Sequence, residues 1–197
     1  MSRILPGLSL LLTLVAGGTQ AQTSESAAVP DSVTYPVYSA LVNQHYDQGA
    51  DLPLVLLGAS VDRSDDAPLD DHLRSTLQDA LHPVSIETLT AFEKLPATPA
   101  LIQPRLSTRR TCRLVSRAVL DSLFSVCPGG WDRFATMFPR VRGYVTLSRV
   151  ACDPSFSEAL VYTEDHCGMF CGEGTFVFLQ RENGAWKVER KLTCWVS

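Results

Sequence analysis

The stretch 143–197 constrains this chain more than any other. It reads as four strands in sequence, 143–152, 158–166, 173–182 and 185–196, with Asn183-Gly184 joining the last two. Asn-Gly favours the left-handed dihedrals that a two-residue hairpin needs. The last strand alternates Trp186, Val188, Leu192, Cys194 and Val196 with Lys187, Glu189, Lys191 and Thr193, which predicts one buried face and one wet face. Ala159-Leu-Val-Tyr162 and Phe176-Val-Phe-Leu179 are apolar on both faces, as central strands covered on two sides should be. The expected class is α+β, an antiparallel C-terminal β-meander covered by N-terminal helices. The pattern carries no reaction with it.

The beginning of the chain bears on where the fold is used. Residues 1–21 read as a secretory signal: Arg3 gives the positive start, Ile4 to Val15 the apolar core, and Thr19-Gln20-Ala21 a small-x-small cleavage site. A membrane anchor needs roughly 20 apolar residues; this run is shorter and holds Pro6 and Gly7. No later run is long and apolar enough to span a membrane. A secreted or periplasmic location is therefore expected. Small polar residues over 22–34 predict a flexible leader, and 35–197 a single α+β domain with a Pro-rich connection near 96–108. All six cysteines (112, 127, 152, 167, 171, 194) lie after the signal, where disulfides are favoured over metal ligation.

Charge is laid down unevenly. Residues 22–104 carry a balance of −9, residues 105–149 a balance of +7 from nine arginines against Asp121 and Asp132, and residues 150–197 a balance of −3. A basic segment of this kind is either an external polyanion patch, with Arg109, Arg110 and Arg113 as its candidates, or the internal complement of the acidic N-terminal half. The second is favoured, and nucleic acid is not expected as a partner.

Local signals fill in the N-terminal part. Pro36 is read as opening a helix that carries Val37, Tyr38, Leu41, Val42 and His45 at helical spacing. Leu54-Val-Leu-Leu57 is read as a buried strand. The acids of 62–73 suggest a calcium loop, but Ala67 and Leu73 stand where glycine and glutamate are required. A helix with Pro68 in its first turn and Leu69, Leu73, Leu77 and Leu81 as its stripe fits better. Ser85 caps a further helix with Ile86, Leu89 and Phe92. A strand from Cys112 and short helices over 119–124 and 131–138 complete the set. No nucleotide-binding glycine motif, nucleophile elbow or His-Glu-x-x-His occurs.

Several pieces of the C-terminal third form a wider pattern. Gly130-Trp-Asp-Arg-Phe134, Gly143-Tyr-Val-Thr-Leu-Ser-Arg-Val150, Ala159-Leu-Val-Tyr162, Cys167-Gly-x-x-Cys171-Gly-x-Gly174, Asn183-Gly-x-Trp186-Lys-Val188 and Trp195-Val-Ser197 resemble an uncharacterised family of secreted bacterial α+β proteins. Cys167 and Cys171 match that pattern, whereas Cys112, Cys127, Cys152 and Cys194 depart from it. The resemblance implies an exported α+β protein and brings no catalytic residues.

The densest polar cluster is 164–171. His166, Cys167 and Cys171, with Asp165, offer zinc ligands; the same two cysteines, four apart at a strand connection, instead close a local disulfide, which export favours. No metal and no cofactor is expected. Cys152 and Cys194 end strands at opposite edges of a simple meander, so Cys112, Cys127, Cys152 and Cys194 are left unassigned. For catalysis the candidates are His166 with Asp165 or Glu164, since no serine sits in an activating turn. Two functions stay open: a non-catalytic binding or structural module of the cell envelope, with an envelope protein or polyanion as partner, and a hydrolase at His166. The first is favoured. A closed, exposed 167–171 tip supports binding, and an open cleft at His166 supports the enzyme.

Overall fold

In the computed structural model, residues 28–46, 52–61, 71–125 and 129–197 are described. The signal-like segment 1–21, most of the calcium-like loop and Cys127 lie outside them. The chain runs α1 (Asp31–His45), β1 (Leu54–Leu57), α2 (Asp71–Ala80), α3 (Ile86–Glu93), β2 (Cys112–Val115), α4 (Arg117–Phe124), α5 (Gly130–Met137), β3 (Tyr144–Leu147), β4 (Ala151–Cys152), β5 (Glu158–Gly168), β6 (Cys171–Glu182) and β7 (Ala185–Val196). One sheet has the order β2-β1-β3-β5-β6-β7, with β4 continuing β3 along β5.

The antiparallel meander is β3-β5-β6-β7, and Asn183 and Gly184 take positive φ at the last turn. Its predicted first strand is broken in two. At the break the Ser148 N–H keeps its ladder bond to Tyr162 O at 2.8 Å, but Ser148 Oγ accepts from the Tyr162 N–H at 2.9 Å in place of the carbonyl, which accepts from the Tyr38 hydroxyl at 2.7 Å. Parallel β1 and β2 extend the meander into a mixed sheet. Parallel neighbours need long crossovers, and α2–α3 and then α4–α5 supply them.

Three apolar clusters show how the sheet is covered. On one face α1 sets Val37, Leu41 and Val42 against Leu56, Val145, Val161, Val177 and Leu179. On the other face α2 and α3 bring Leu77, Leu81, Leu89 and Phe92 to Leu160, Tyr162, Phe176 and Phe178. Beside them α4 and α5 bring Leu120, Leu123, Phe134 and Phe138 to Val55 and Leu57. The runs 159–162 and 176–179 are apolar throughout for this reason.

Three expectations change in detail. First, α1 starts at Asp31 behind Pro30, so 31–34 are helical and Pro36 lies inside the helix. Pro36 has no N–H to give to the Ser32 carbonyl, and Ser32 is exposed. Second, the Pro-rich connection 96–108 runs tied along α1. Tyr35, Ser39 and Asn43, one helical turn apart on α1, accept the N–H groups of Gln103, Ser107 and Arg109 at 2.9, 2.9 and 2.8 Å. Third, β7 does not keep one buried face. Register shifts between Phe178/Leu179 and between Gly174/Thr175 insert an extra residue twice. Trp186 and Val188 therefore pack on the α1 side, and Leu192 on the α2–α3 side.

Candidate functional site

The sequence candidates meet at one end of the sheet, where β3 and β6 begin and α1, β5 and β7 end. Side chains alternate along β5, so Tyr162, Glu164 and His166 face the α2–α5 side while Thr163 and Asp165 face α1. The three proposed catalytic residues are thus divided: Glu164 and His166 come together, and Asp165 lies across the sheet from them.

On the first side, His166 Nε2 is 3.3 Å from Glu164 Oε2. Glu164 also accepts from the Tyr162 hydroxyl at 3.1 Å and from Thr146 Oγ1 at 3.4 Å. The hydrogen bond from His166 is the chief reason that its carboxyl is held below the ordinary range, against the cost of burial. The His166 ring stacks on Tyr144 at 4.6 Å, and Tyr144 stacks in turn on Trp131. The imidazole is thereby fixed between a carboxylate and an aromatic face.

On the α1 side, Asp165 Oδ2 accepts from the Tyr46 hydroxyl at 3.2 Å, and that hydroxyl lies 2.6 Å from Thr163 Oγ1. Burial, with Glu173 nearby, pushes the Asp165 carboxyl up to about 6. His45 packs edge-on against Tyr46 at 4.5 Å with its buried Nδ1 unpaired. Burial, with Lys191 nearby, pulls its imidazole down to about 4. Glu173 accepts from Thr175 Oγ1 at 2.7 Å and Thr193 Oγ1 at 2.9 Å, which holds it below the usual range. Sequence reasoning placed His45 on a helix stripe and among four scattered histidines with no activated serine beside them, and did not single out Tyr46 or Glu173. The signal was there: Thr163, Asp165, Glu173, Thr175 and Thr193 are polar at positions that face α1.

Beyond these clusters lies the tip of the β5–β6 hairpin. Cys167 and Cys171 form a disulfide with Cα atoms 5.1 Å apart, so neither thiolate is left to bind a metal. The turn it closes presents Met169, 70% exposed, and Phe170, 85% exposed. Across the tip Ser197 exchanges backbone hydrogen bonds with Gly172 at 2.9 and 3.3 Å. Cys112, Cys152 and Cys194 are free thiols. Among the described residues no group of three His, Cys, Asp or Glu side chains is placed to hold a metal ion, and no helix is long and apolar enough to cross a membrane.

The three arginines are engaged in different ways. The Arg110 guanidinium donates to Tyr46 O at 2.6 Å and to Leu52 O, tying the end of α1 to the start of β1. Arg113 lies over the Phe138 ring at 5.5 Å. Arg109 is exposed, and its backbone N–H donates to Asn43 Oδ1 at 2.8 Å. Elsewhere Arg105 pairs with Asp31 at 3.0 Å, a direct bond between the basic segment and the acidic N-terminal half. Set against known proteins, this chain matches no family model, no curated protein and no solved structure.

Proposed function

We propose that this is an exported, non-catalytic binding module of the cell envelope, and that the β5–β6 tip is its contact element. The observation that carries the reading is the exposure of Met169 and Phe170, side by side, on a turn closed by a disulfide. Large apolar side chains held out on a stiff turn contribute most when a partner desolvates them, and little entropy remains to be lost on binding. Glu164, Asp165 and Glu173 on the strands that feed the tip disfavour an anionic lipid surface, so the partner is a protein with an apolar crevice. Export rests on the signal pattern of residues 1–21 and agrees with the disulfide. The resemblance of 130–197 to secreted bacterial proteins belongs to the same proposal.

The test places a photocrosslinking residue at 170 of the exported chain and identifies adducts in intact envelopes. One recurrent protein adduct, lost in the Met169→Ser/Phe170→Ser variant at unchanged melting temperature, is expected. Adducts only with lipid, or an adduct pattern that the double substitution leaves unchanged, overturn the reading. The rival reading, a hydrolase, has in its favour the 3.3 Å contact of Glu164 with His166. Ester or amide hydrolysis by the purified protein that is abolished by His166→Asn would establish it instead.

A further inference from the structure

Away from the tip, beside β4, the sheet has a gap. β3 and β4 lie end to end along β5, but β1 pairs only with Tyr144 and Val145 of β3. Past Leu57 the chain leaves the ladder to form an antiparallel bridge between Ala59 and Leu101, and it touches β3 again only where the Val61 N–H donates to Leu147 O at 2.9 Å, short of β4. Among the described residues nothing pairs with the outer edge of β4, which joins the sheet through β5 alone.

The phase of the ladder tells which groups that edge offers. Ala151 lies opposite Leu160, and the Asp153 N–H donates to Glu158 O at 3.4 Å. Inward and outward residues alternate in an antiparallel pair, so Ala151 and Asp153 turn their main-chain groups to β5 and Cys152 turns its N–H and C=O outward. On the facing strap, Ala100 O accepts from Ser60 N–H and Ile102 N–H donates to Gly58 O. That leaves Leu101, 82% exposed, with its own N–H and C=O outside the bridge. Between the two main-chain edges lies a cleft of about 890 Å³ that Val150, Cys152 and Leu101 line together with Val29, Ile86 and Leu95.

We infer that this cleft takes an extended, apolar peptide segment of a partner protein, which adds as a strand to the outer edge of β4. The main-chain groups decide the class of ligand. An acyl chain or aromatic amphiphile fills the apolar walls but leaves the outward N–H and C=O of Cys152 unpaired on a floor where that residue is 8% exposed. A peptide in β conformation supplies donor and acceptor at the repeat the edge requires. Cys152 belongs to the α1-side cluster and Ala151 to the α3-side cluster, so alternate side chains of the added strand meet alternate walls. Valine, alanine and leucine suit both, because exposed Ile86 and partly buried Leu95 line one side and Val29 lines the rim of the other.

The test uses the full chain and a fluorescein-labelled, end-capped peptide, Ser-Val-Ala-Val-Ala-Val-Ser, in two forms with N-methyl groups on either alternate set of amides. Saturable binding by anisotropy is expected, weakened about tenfold by one N-methyl set and little by the other, since only one set faces β4. Ile86→Glu and Leu101→Glu, both at exposed positions, should each weaken binding about tenfold at unchanged melting temperature. The Met169→Ser/Phe170→Ser variant should bind the peptide as the parent does, which separates this site from the tip. No saturable binding overturns the inference. So does equal binding of the two N-methyl sets, or binding that Ile86→Glu and Leu101→Glu leave intact.

Discussion

The indole N–H of Trp195 donates to the hydroxyl of Tyr162 at 2.7 Å, across a glycine. A Cβ built at Gly174 would stand 2.0 Å from Trp195 Nε1 and 2.4 Å from the Tyr162 hydroxyl; one at Gly172 would stand 3.0 Å from the same indole. The Cys171-Gly-x-Gly and Trp195-Val-Ser pieces of the sequence are therefore one structural unit, an indole laid over two side-chain-free positions of the neighbouring strand. It also leads to the candidate site, because Tyr162 donates onward to Glu164.

Gly174→Ala is the direct test of that unit. The methyl group has no room unless the indole leaves, and overpacking of this kind costs about 1–3 kcal/mol. Urea unfolding should show the loss, with the fluorescence of Trp195 shifted toward that of an exposed indole. Trp195→Phe/Gly174→Ala should recover part of it.

How much of this was legible from residues alone depends on the reach of each signal. The Asn183-Gly184 turn and the doubly apolar strands are local, and both stand in the structure. The parallel pairs β1–β2 and β1–β3 were not legible: four-residue apolar runs carry no partner information, and their partners lie scores of residues away. The sequence candidates are His166 with either Asp165 or Glu164; strand alternation over 164–166, which the sequence carries, puts Asp165 on the opposite face from the other two. On β7 the same reading fails, because Glu189 and Cys194 fall at register shifts that no composition announces. The α1 side of the site was missed for a related reason. Tyr46 becomes a partner of Asp165 only because α1 ends over that strand.

The disulfide predicts a stability difference of ordinary size. Cys167 and Cys171 are four apart, and the chain-entropy relation gives about 2 kcal/mol for so small a loop. Cys167→Ser/Cys171→Ser should lose that much in urea, and peptide mapping of the unreduced parent should show 167 joined to 171. A linkage from either to Cys194 would contradict the structure.

Two buried groups at the candidate site should make stability respond to pH in opposite directions. Asp165 is raised from 3.8 to about 6 by burial, so its contribution is present in acid and is lost as pH rises toward 6. His45 is lowered from 6.5 to about 4 by burial, so its contribution is present at neutral pH and is lost as pH falls toward 4. Between about pH 4 and 6 the two slopes oppose each other. The parent should therefore be nearly flat there. Asp165→Asn should gain stability with rising pH, and His45→Gln should lose it, each by up to about 1.4 kcal/mol per pH unit. Unfolding curves at several pH values decide the matter, and parallel profiles for the parent and both variants would contradict it.

Arginine chemistry supplies the last prediction, because the two uses of the basic segment separate cleanly. If Arg110 is a brace within the chain, Arg110→Gln leaves the carbonyls of Tyr46 and Leu52 without their donor, costing about 1–3 kcal/mol of folding stability. Arg109→Gln removes an exposed side chain and should change stability by less than about 0.5 kcal/mol. An external anion site would behave differently: each arginine removed would lower heparin retention and flatten its dependence on salt, because fewer counterions are released on binding. The geometry favours the brace, since Arg110 is committed to carbonyls and Arg113 to the Phe138 ring. The expected outcome is a stability loss confined to Arg110→Gln, with heparin retention unchanged by Arg109→Gln/Arg113→Gln. Retention that falls steeply with salt in the parent and weakens in that double variant would instead assign the segment to a polyanion.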